Sequence, residues 1–498
     1  MDRKNPNLLF IMTDQQRFDA LSRAGNRVLH TPNLDRLARE GAYFENAYTA
    51  CPVCAPARAV ILTGRGIYSN GVITNREAED ETCMTMPTFD NLLSDAGYRT
   101  EYYGKWHDPK TPTRTYDRIL HLHTYPAYVR DQVPLRPLRE GERQDTFTRR
   151  PYRMDPIDSC YGLAPDAKPV GPNGQPLRII QPDLHGCLDI PDEHTCTAYF
   201  ARETMAALRR TPDRPFSITC SLHHPHSPIL PTKRYADLFP AEAMPLPASI
   251  EDPMTESPYR DNWGRGDAKY RDPELIRYMI ANYYALVKEI DDYVGHILDT
   301  LDELGLAEDT LVIFTSDHGE MLGAHGMREK NIFYEESAHV PLLMRFPGRI
   351  RPGTVVREPV SQVDLFATIL DYLEKPAQES EGRSLRPLVE GRSRGGEEFA
   401  VSEWPVYGGE GRFGTHFGPN FMLRAGEWKF IFAQTPESTA VNALYNLRED
   451  PLELTNLLGP SARTPETVER AEAMKQLLLT WLEQNRSPHL DGVRARAV

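Results

Sequence analysis

Two apolar runs constrain this chain more than any other feature. Leu8 to Met12 stops at Thr13-Asp14-Gln15-Gln16, and Thr310 to Thr315 stops at Ser316-Asp317-His318-Gly319. A run without polar alternation has no face to turn to water, so both read as strands buried on two sides in a parallel sheet. In open α/β sheets, ligands gather at the carboxyl ends of the strands. The acidic clusters lie about three hundred residues apart in sequence, yet this topology is expected to bring them to one place.

Helical patterns fall between the runs. Thr31-Pro32-Asn33-Leu34-Asp35 offers an N-cap and a proline at the first helical position, and Leu34, Leu37 and Ala38 share a face before Gly41. From Pro273 to Leu306, Ile276, Met279, Ile280, Tyr283, Val287, Ile290, Val294, Ile297 and Leu301 recur at helical spacing, a core-facing stripe. Asp108 to Glu193 and Pro225 to Asp272 are dense in proline, arginine and aromatics with little periodicity. They are expected to be ordered loops that wall a pocket.

After a helical Val363 to Leu373, the polar stretch Gln378 to Glu398 leads into β-like runs at Phe399 to Ser402, Phe421 to Arg424 and Trp428 to Phe432. A last amphipathic helix is expected over Pro465 to Asn485. The fold class is therefore α/β: residues 1–377 form a domain with a large, mostly parallel central sheet flanked by helices. Residues 378–498 form a smaller C-terminal α+β subdomain with an antiparallel sheet and a terminal helix.

At 498 residues the chain can bury a sizeable core without disulfide help. Its formal charge of −14 argues against nucleic acid or an anionic membrane as partner, so an anionic substrate would need a local basic pocket. Seven cysteines form an odd, sparse set that resembles no zinc framework, and they read as reduced thiols. Met1 to Asn7 runs straight into a short apolar segment, without the long apolar region of a secretory signal, and no run approaches membrane-spanning length. These features together predict a cytoplasmic protein.

The stretch Cys54-x-Pro56-x-Arg58, continued by Leu62-Thr63-Gly64-Arg65, carries the most specific chemistry. Pro56 suits a first helical turn and Ala57 to Leu62 can continue it. Cys54 then sits at a helix N-terminus, where free N–H groups and the dipole favour an anion. An isolated cysteine there reads more readily as a buried structural thiol at a helix start.

This motif resembles the modification site of type I sulfatases in the alkaline phosphatase superfamily, and the resemblance runs through the chain in the family's motif order. Asp14-Gln15 occupies the place of a first metal-ligand pair. Thr31 to Ala38 is similar to a helix of the family, and Gly104-Lys105-Trp106-His107 looks like its basic element. His224-Pro225-His226-Ser227-Pro228 resembles a segment with a site histidine, and Ser316 to Glu320 a second ligand pair. Leu444-Tyr445-Asn446-Leu447, with Asp450-Pro451-x-Glu453 and Asn456-Leu457, resembles the passage to the last helix. Singly, each has an ordinary reading: Asp14 as a cap, Asp317 and His318 as a structural pair, Lys105 and Lys330 as solvated cations.

The resemblance implies that Cys54 is oxidised to formylglycine by a formylglycine-generating enzyme, and that its hydrated aldehyde attacks sulfur. It also implies one divalent cation held by Asp14, Gln15, Asp317 and His318 together with the modified Cys54. Oxygen ligands point to calcium; Gln15 and His318 stand where many sulfatases have Asp and Asn, which leaves manganese open beside magnesium. Arg58, at i+4 from Cys54, is expected to reach back to the modified residue or the metal-bound oxygen. Lys105, His107, His226 and Lys330 are expected to surround the sulfate, with His226 the first choice as proton donor and His107 the second. Asn75 and His224 are assigned to substrate binding.

The implied function is hydrolysis of a sulfate monoester. The alternatives are a phosphonate monoester or phosphodiester hydrolase, for which the Asp-Gln and Asp-His set argues, and an inactive binding-only relative. Lys105-x-His107 favours sulfate. Tyr125, Tyr128, Arg130, Tyr152 and Arg153 either bind the sugar, aryl or alkyl part or pack the loop, and a homo-oligomer is left open.

Overall fold

The structure is a computed structural model that describes residues 5–75, 77, 84–107, 116–139, 142–145, 147–153, 185–210, 214–260, 268–396, 398–404, 420–433, 436, 438 and 440–498. Within them the first apolar run forms β1 (Asn7–Asp14) and the second β6 (Thr310–Ser316), and every residue of both is buried. Between and after them come β2 (Ala42–Phe44), β3 (Arg99–Gly104), β4 (Arg118–His121), β5 (Phe216–Pro225), β7 (Leu342–Arg345) and β8 (Thr354–Val356). They build one sheet in the order β8-β2-β7-β6-β1-β5-β3-β4. All neighbours are parallel except where β7 runs against β6 and β2.

The absence of alternation in β1 has the expected cause. Leu9 and Ile11 pack into one core with α1 (Pro32–Glu40), α3 (Cys196–Arg209) and α4 (Pro273–Glu303), while Leu8, Phe10 and Met12 pack into a second core on the other face. That second face is covered by α2 (Cys54–Thr63) and α5 (Asp364–Tyr372). Register pairs Thr13 with Ser316, so the segments beginning at Asp14 and Asp317 leave the sheet side by side.

Two local expectations are revised. Thr31 precedes α1, but its side chain pairs with Ser22; the orphan N–H groups of Asn33 and Leu34 are accepted by the Asp291 carboxylate of α4 at 3.0 and 2.9 Å. The stretch Asp108 to Glu193, read as loop, contains the edge strand β4, a helix (Tyr125–Gln132) and a small three-stranded sheet. Tyr125 is buried there and Tyr128 stacks on Tyr199 with ring centroids 4.3 Å apart, so these aromatics pack the fold. The part of that stretch from 154 to 184 lies outside the described residues.

A four-stranded antiparallel sheet follows: β9 (Phe399–Glu403), β10 (Phe421–Ala425), β11 (Trp428–Phe432) and β12 (Ala443–Asn446). Its outer face packs against α6 (Pro465–Gln484) through Ala471, Met474, Leu478 and Leu482. Its inner face, through Ala400, Met422, Ile431 and Tyr445, packs on Tyr48, Met321 and Tyr334 of the main body. Leu385, Leu388 and Val389 still belong to the core under α5. No helix among the described residues is long and apolar enough to cross a membrane.

Candidate active site

The carboxyl ends of β1, β3, β5 and β6 and the start of α2 converge. Gln15 turns the chain off β1 with φ +70°, and its N–H donates to Asp317 Oδ1 at 3.0 Å. The Asp317 N–H donates to Thr13 O at 3.1 Å, closing the two strand ends together. Cys54 opens α2, with Val53 as an uncapped extended residue before it and Gly64 ending the helix in the left-handed region. Cys54 Sγ lies 3.1 Å from His318 Nε2 and 3.8 Å from Asp14 Oδ1. Asp14, Cys54, Asp317 and His318 each point one ligand atom into a space where all four atoms lie within 4.8 Å of one another.

Cations surround this cluster. Lys105 Nζ contacts Asp14 Oδ2. Gly104 makes that placement possible: at φ +117° a Cβ there would sit 1.8 Å from Ser221 O. Lys330 Nζ donates to Gln15 Oε1 at 2.6 Å and to His226 Nε2 at 3.1 Å, and it lies 3.2 Å from Glu329 Oε2. Burial opposes a thiolate at Cys54, but Lys105, Lys330 and His318 overcome it and hold the thiol well below its ordinary value. Burial also opposes charge on His318, yet Asp317 and Cys54 raise it to about 9.

Arg58 departs from the expectation of reaching Cys54. Fully buried, it donates from Nε to Asp317 Oδ2 at 2.9 Å and from Nη2 to Asp14 Oδ2 at 3.1 Å. Its Nη1 donates to Lys105 O and Ser221 Oγ, both at 2.8 Å. A guanidinium forked across two carboxylates holds both in place. Burial pushes the Asp14 carboxyl up, as does Cys54, but Lys105, His226 and Arg58 hold it below the usual carboxylate range. Burial and Asp14 push Asp317 upward.

Two residues assigned to substrate binding have other partners here. His224 Nδ1 pairs with Thr197 Oγ1 at 3.0 Å and lies 4.0 Å from Glu289 Oε2, toward α3 and α4, where burial lowers its pKa to about 4. Asn75 is exposed, and its Oδ1 accepts from the Ala55 N–H at 3.0 Å, capping α2. His107, at φ +53°, does lie at the cluster, where burial and Lys105 keep its ring neutral.

The geometry adds residues that the pattern of motifs did not single out. Glu320 receives Gln15 Nε2 and accepts from Arg328 Nη1 at 2.9 Å and from the Glu329 N–H at 2.7 Å. Ser221 braces Arg58. Around the cluster, His107 Nδ1, His223 Nδ1 and Glu329 Oε1 are buried without a hydrogen-bond partner. Glu320 follows the Asp317-His318-Gly319 element directly and Glu329 precedes Lys330, so adjacency was the available signal.

The fold and this cluster can be set beside known proteins. Residues 6–375 match the sulfatase family, and residues 323–481 match the C-terminal region described as that of N-sulphoglucosamine sulphohydrolase. An arylsulfatase of Clostridium perfringens is 32% identical over 503 residues, which cover 98% of this chain and 96% of the relative. A structure described as bound to its substrate D-glucosamine-2-N,6-O-disulfate shares the fold at a TM-score of 0.74 and 21% identity, covering 99% of this chain and 100% of its own. The phosphonate monoester hydrolase of Agrobacterium radiobacter shares it at 0.73 and 23%, covering 96% of each chain. With a family match across most of the chain and a relative aligned from end to end, the protein belongs to the sulfatase family of the alkaline phosphatase superfamily and is a sulfuric ester hydrolase.

Proposed function

We propose that the site hydrolyses a sulfate monoester with Cys54, matured to formylglycine, as nucleophile and one divalent cation held by Asp14, Asp317 and His318. The carrying observation is the buried donor cluster itself, with a cysteine placed among cations at the start of a helix. The donors suit a cation: His318 Nδ1 lies 2.9 Å from Gly319 O, which aims Nε2 at the cluster beside two carboxylates, where a cation would take the place of its proton. Gln15 Oε1 would complete the set on turning from Lys330. This oxygen-rich set favours calcium, and the His318 nitrogen is the donor that manganese would use; magnesium is the third choice. When present, the cation supplies Lewis acidity toward a sulfuryl oxygen and the formylglycine hydrate supplies the attacking hydroxyl.

The chain's own residues do the rest. Lys105 and Lys330 are fixed before substrate arrives, so their charge meets the sulfuryl oxygens without reorganisation. His226 directs Nδ1 at Ser227 O, 2.7 Å away, and accepts from Lys330 at Nε2. The proton for the leaving oxygen therefore comes from the Lys330–His226 pair, with Lys330 the group that holds it; burial opposes its charge, but the Cys54 thiolate before maturation and Glu329 throughout hold it on. His107 is neutral and is a positioning contact of Cys54. Arg58 fixes the two carboxylates.

Paired kcat/KM measurements on 4-nitrophenyl sulfate and a phenyl phosphonate monoester test the reading, with metal analysis and mass spectrometry of the Cys54 peptide. The sulfate is expected to be favoured, the peptide to carry aldehyde, and chelation to abolish turnover until calcium or manganese is restored. A larger value for the phosphonate would move the protein to the phosphonate or phosphodiester hydrolases. Unmodified Cys54 without turnover would make it a binding-only relative. The reading requires a formylglycine-generating enzyme as maturation partner. Cys51, Cys54, Cys196 and Cys220 are free thiols, and the cytoplasmic placement is checked by cell fractionation.

A further inference from the structure

Glu329 is a buried carboxylate of which the proposed chemistry uses one oxygen only, the one that faces Lys330. Its residue is 8% exposed, Oε2 lies 3.2 Å from Lys330 Nζ, and Oε1 has no hydrogen-bond partner. The backbone places it deliberately. Glu329 has φ +72° and Asn331 φ +81°, so left-handed residues bracket Lys330. Glu329 is held there from both sides: its N–H donates to Glu320 Oε1 at 2.7 Å, and its carbonyl accepts from the Met321 N–H at 2.8 Å. The Asn331 N–H donates to Pro52 O at 3.2 Å, tying the segment to the loop before Cys54. A non-glycine residue kept in this region by surrounding bonds is a strained position that the fold maintains.

The electrostatics restrict what Glu329 can face. A sulfuryl group is anionic throughout the reaction, and Lys105 and Lys330 attract it, whereas a bare carboxylate oxygen repels it. An anionic oxygen sealed from water and left unpaired is also costly until a donor reaches it. Both conditions are met when Oε1 meets the alcohol side of the ester. Resting on the sulfatase reading above, we infer that Glu329 is a specificity-determining residue that selects sulfate esters whose leaving alcohol carries a hydrogen-bond donor, hydroxyl or ammonium, next to the sulfated oxygen.

The test uses the mature, metal-loaded enzyme on three matched esters: cyclohexyl sulfate, trans-2-hydroxycyclohexyl sulfate and trans-2-aminocyclohexyl sulfate. The wild type is expected to favour one or both donor-bearing esters by at least about tenfold in kcat/KM, as a hydrogen bond to a charged group warrants. Glu329→Ala should bring that ratio close to one. Glu329→Gln keeps the volume and an acceptor oxygen, so it should keep part of a hydroxyl preference and lose an ammonium preference. The hydroxyl and amino arms thereby distinguish a carbohydrate-type alcohol from an amino alcohol. Equal losses on all three esters, or a wild type with no preference among them, would overturn the inference alone. A wild type that cleaves a phenyl phosphonate ester but none of the sulfates would overturn the sulfatase reading with it. Thermal unfolding of both variants monitors folding, and the Gln variant decides the matter if the Ala variant does not fold.

Discussion

The strand ends that carry Asp14 and Asp317, and the seam between the main body and the C-terminal sheet, both bury several charges, but they arrange them differently. At the seam, Lys429 of β11 sits 2.9 Å from Glu335 Oε1 and 2.9 Å from Glu453 Oε1. Glu335 Oε2 accepts from Tyr48 OH at 3.0 Å, and the Tyr48 oxygen accepts from Arg424 Nε at 3.0 Å. The Glu335 N–H donates to Glu453 Oε2 at 2.7 Å. Cations and anions there close on one another and contain no nucleophile; Glu453 Oε1 and His339 Nδ1 lack a hydrogen bond, but each lies 2.9 Å from an opposite charge, on Lys429 and Glu335. At the strand ends the pairing is left open: His107, His223 and Glu329 each keep a buried polar atom unpaired, and Cys54 adds an anion among the cations. Buried charge by itself therefore marks architecture as readily as chemistry. The distinction lies in which polar atoms have neither a hydrogen bond nor an opposite charge against them.

The comparison breaks first on Cys54. Cys54→Ala should lower kcat on 4-nitrophenyl sulfate by on the order of 10⁴-fold or more, as loss of a nucleophile does. Unfolding free energy should move by no more than about 1 kcal/mol in denaturant titration. Lys429→Met should do the reverse. It strands two buried carboxylates and should destabilise the fold by about 3–5 kcal/mol, while kcat of the folded enzyme stays close to the parent's. A loss of turnover in step with stability at both positions would mean that the two clusters are one unit.

Lys105→Ala removes one preorganised cation and should cost about 2.7–4 kcal/mol in transition-state stabilisation, read as kcat/KM. The smallest effect is a pH dependence at the seam. Burial pushes Glu453 up to about 7, although Lys429 opposes it. Its folded form then keeps a proton that the unfolded chain releases, so its contribution is full below the ordinary glutamate value near 4.5 and is lost as pH rises toward 7. Glu453→Gln should abolish that slope, roughly 1–3 kcal/mol in chemical denaturation between pH 4.5 and 7.5. Persistence of the slope in the variant would assign it to another group.

Much of this was legible in one dimension where a residue's role depends on its immediate neighbours. The long stripe from Pro273 appears as α4, because helical periodicity records which face is buried. Cys54 opens a helix because Pro56 belongs in a first turn and Gly64 tolerates the left-handed end. Positions decided by distant partners were not legible. The cap of α1 comes from Asp291, about 260 residues away, because that carboxylate outcompetes Thr31, which is occupied by Ser22. The edge strand β4 lacks the continuous apolar character of β1, since an edge position need not be buried on both faces.

The sequence by itself determined the buried parallel strands, the helix that begins at Cys54, and the kinds of residue available at the strand ends, because backbone preference and burial pattern are local properties. Tertiary structure alone decided how those residues divide their work. It turned Arg58 beneath the two carboxylates, sent His224 toward Glu289, used Asn75 as a cap, and left Glu329 with an unpaired oxygen. The physical reason is that ion pairs and hydrogen bonds are satisfied in three dimensions, and which donor meets which acceptor is set by packing rather than by order along the chain.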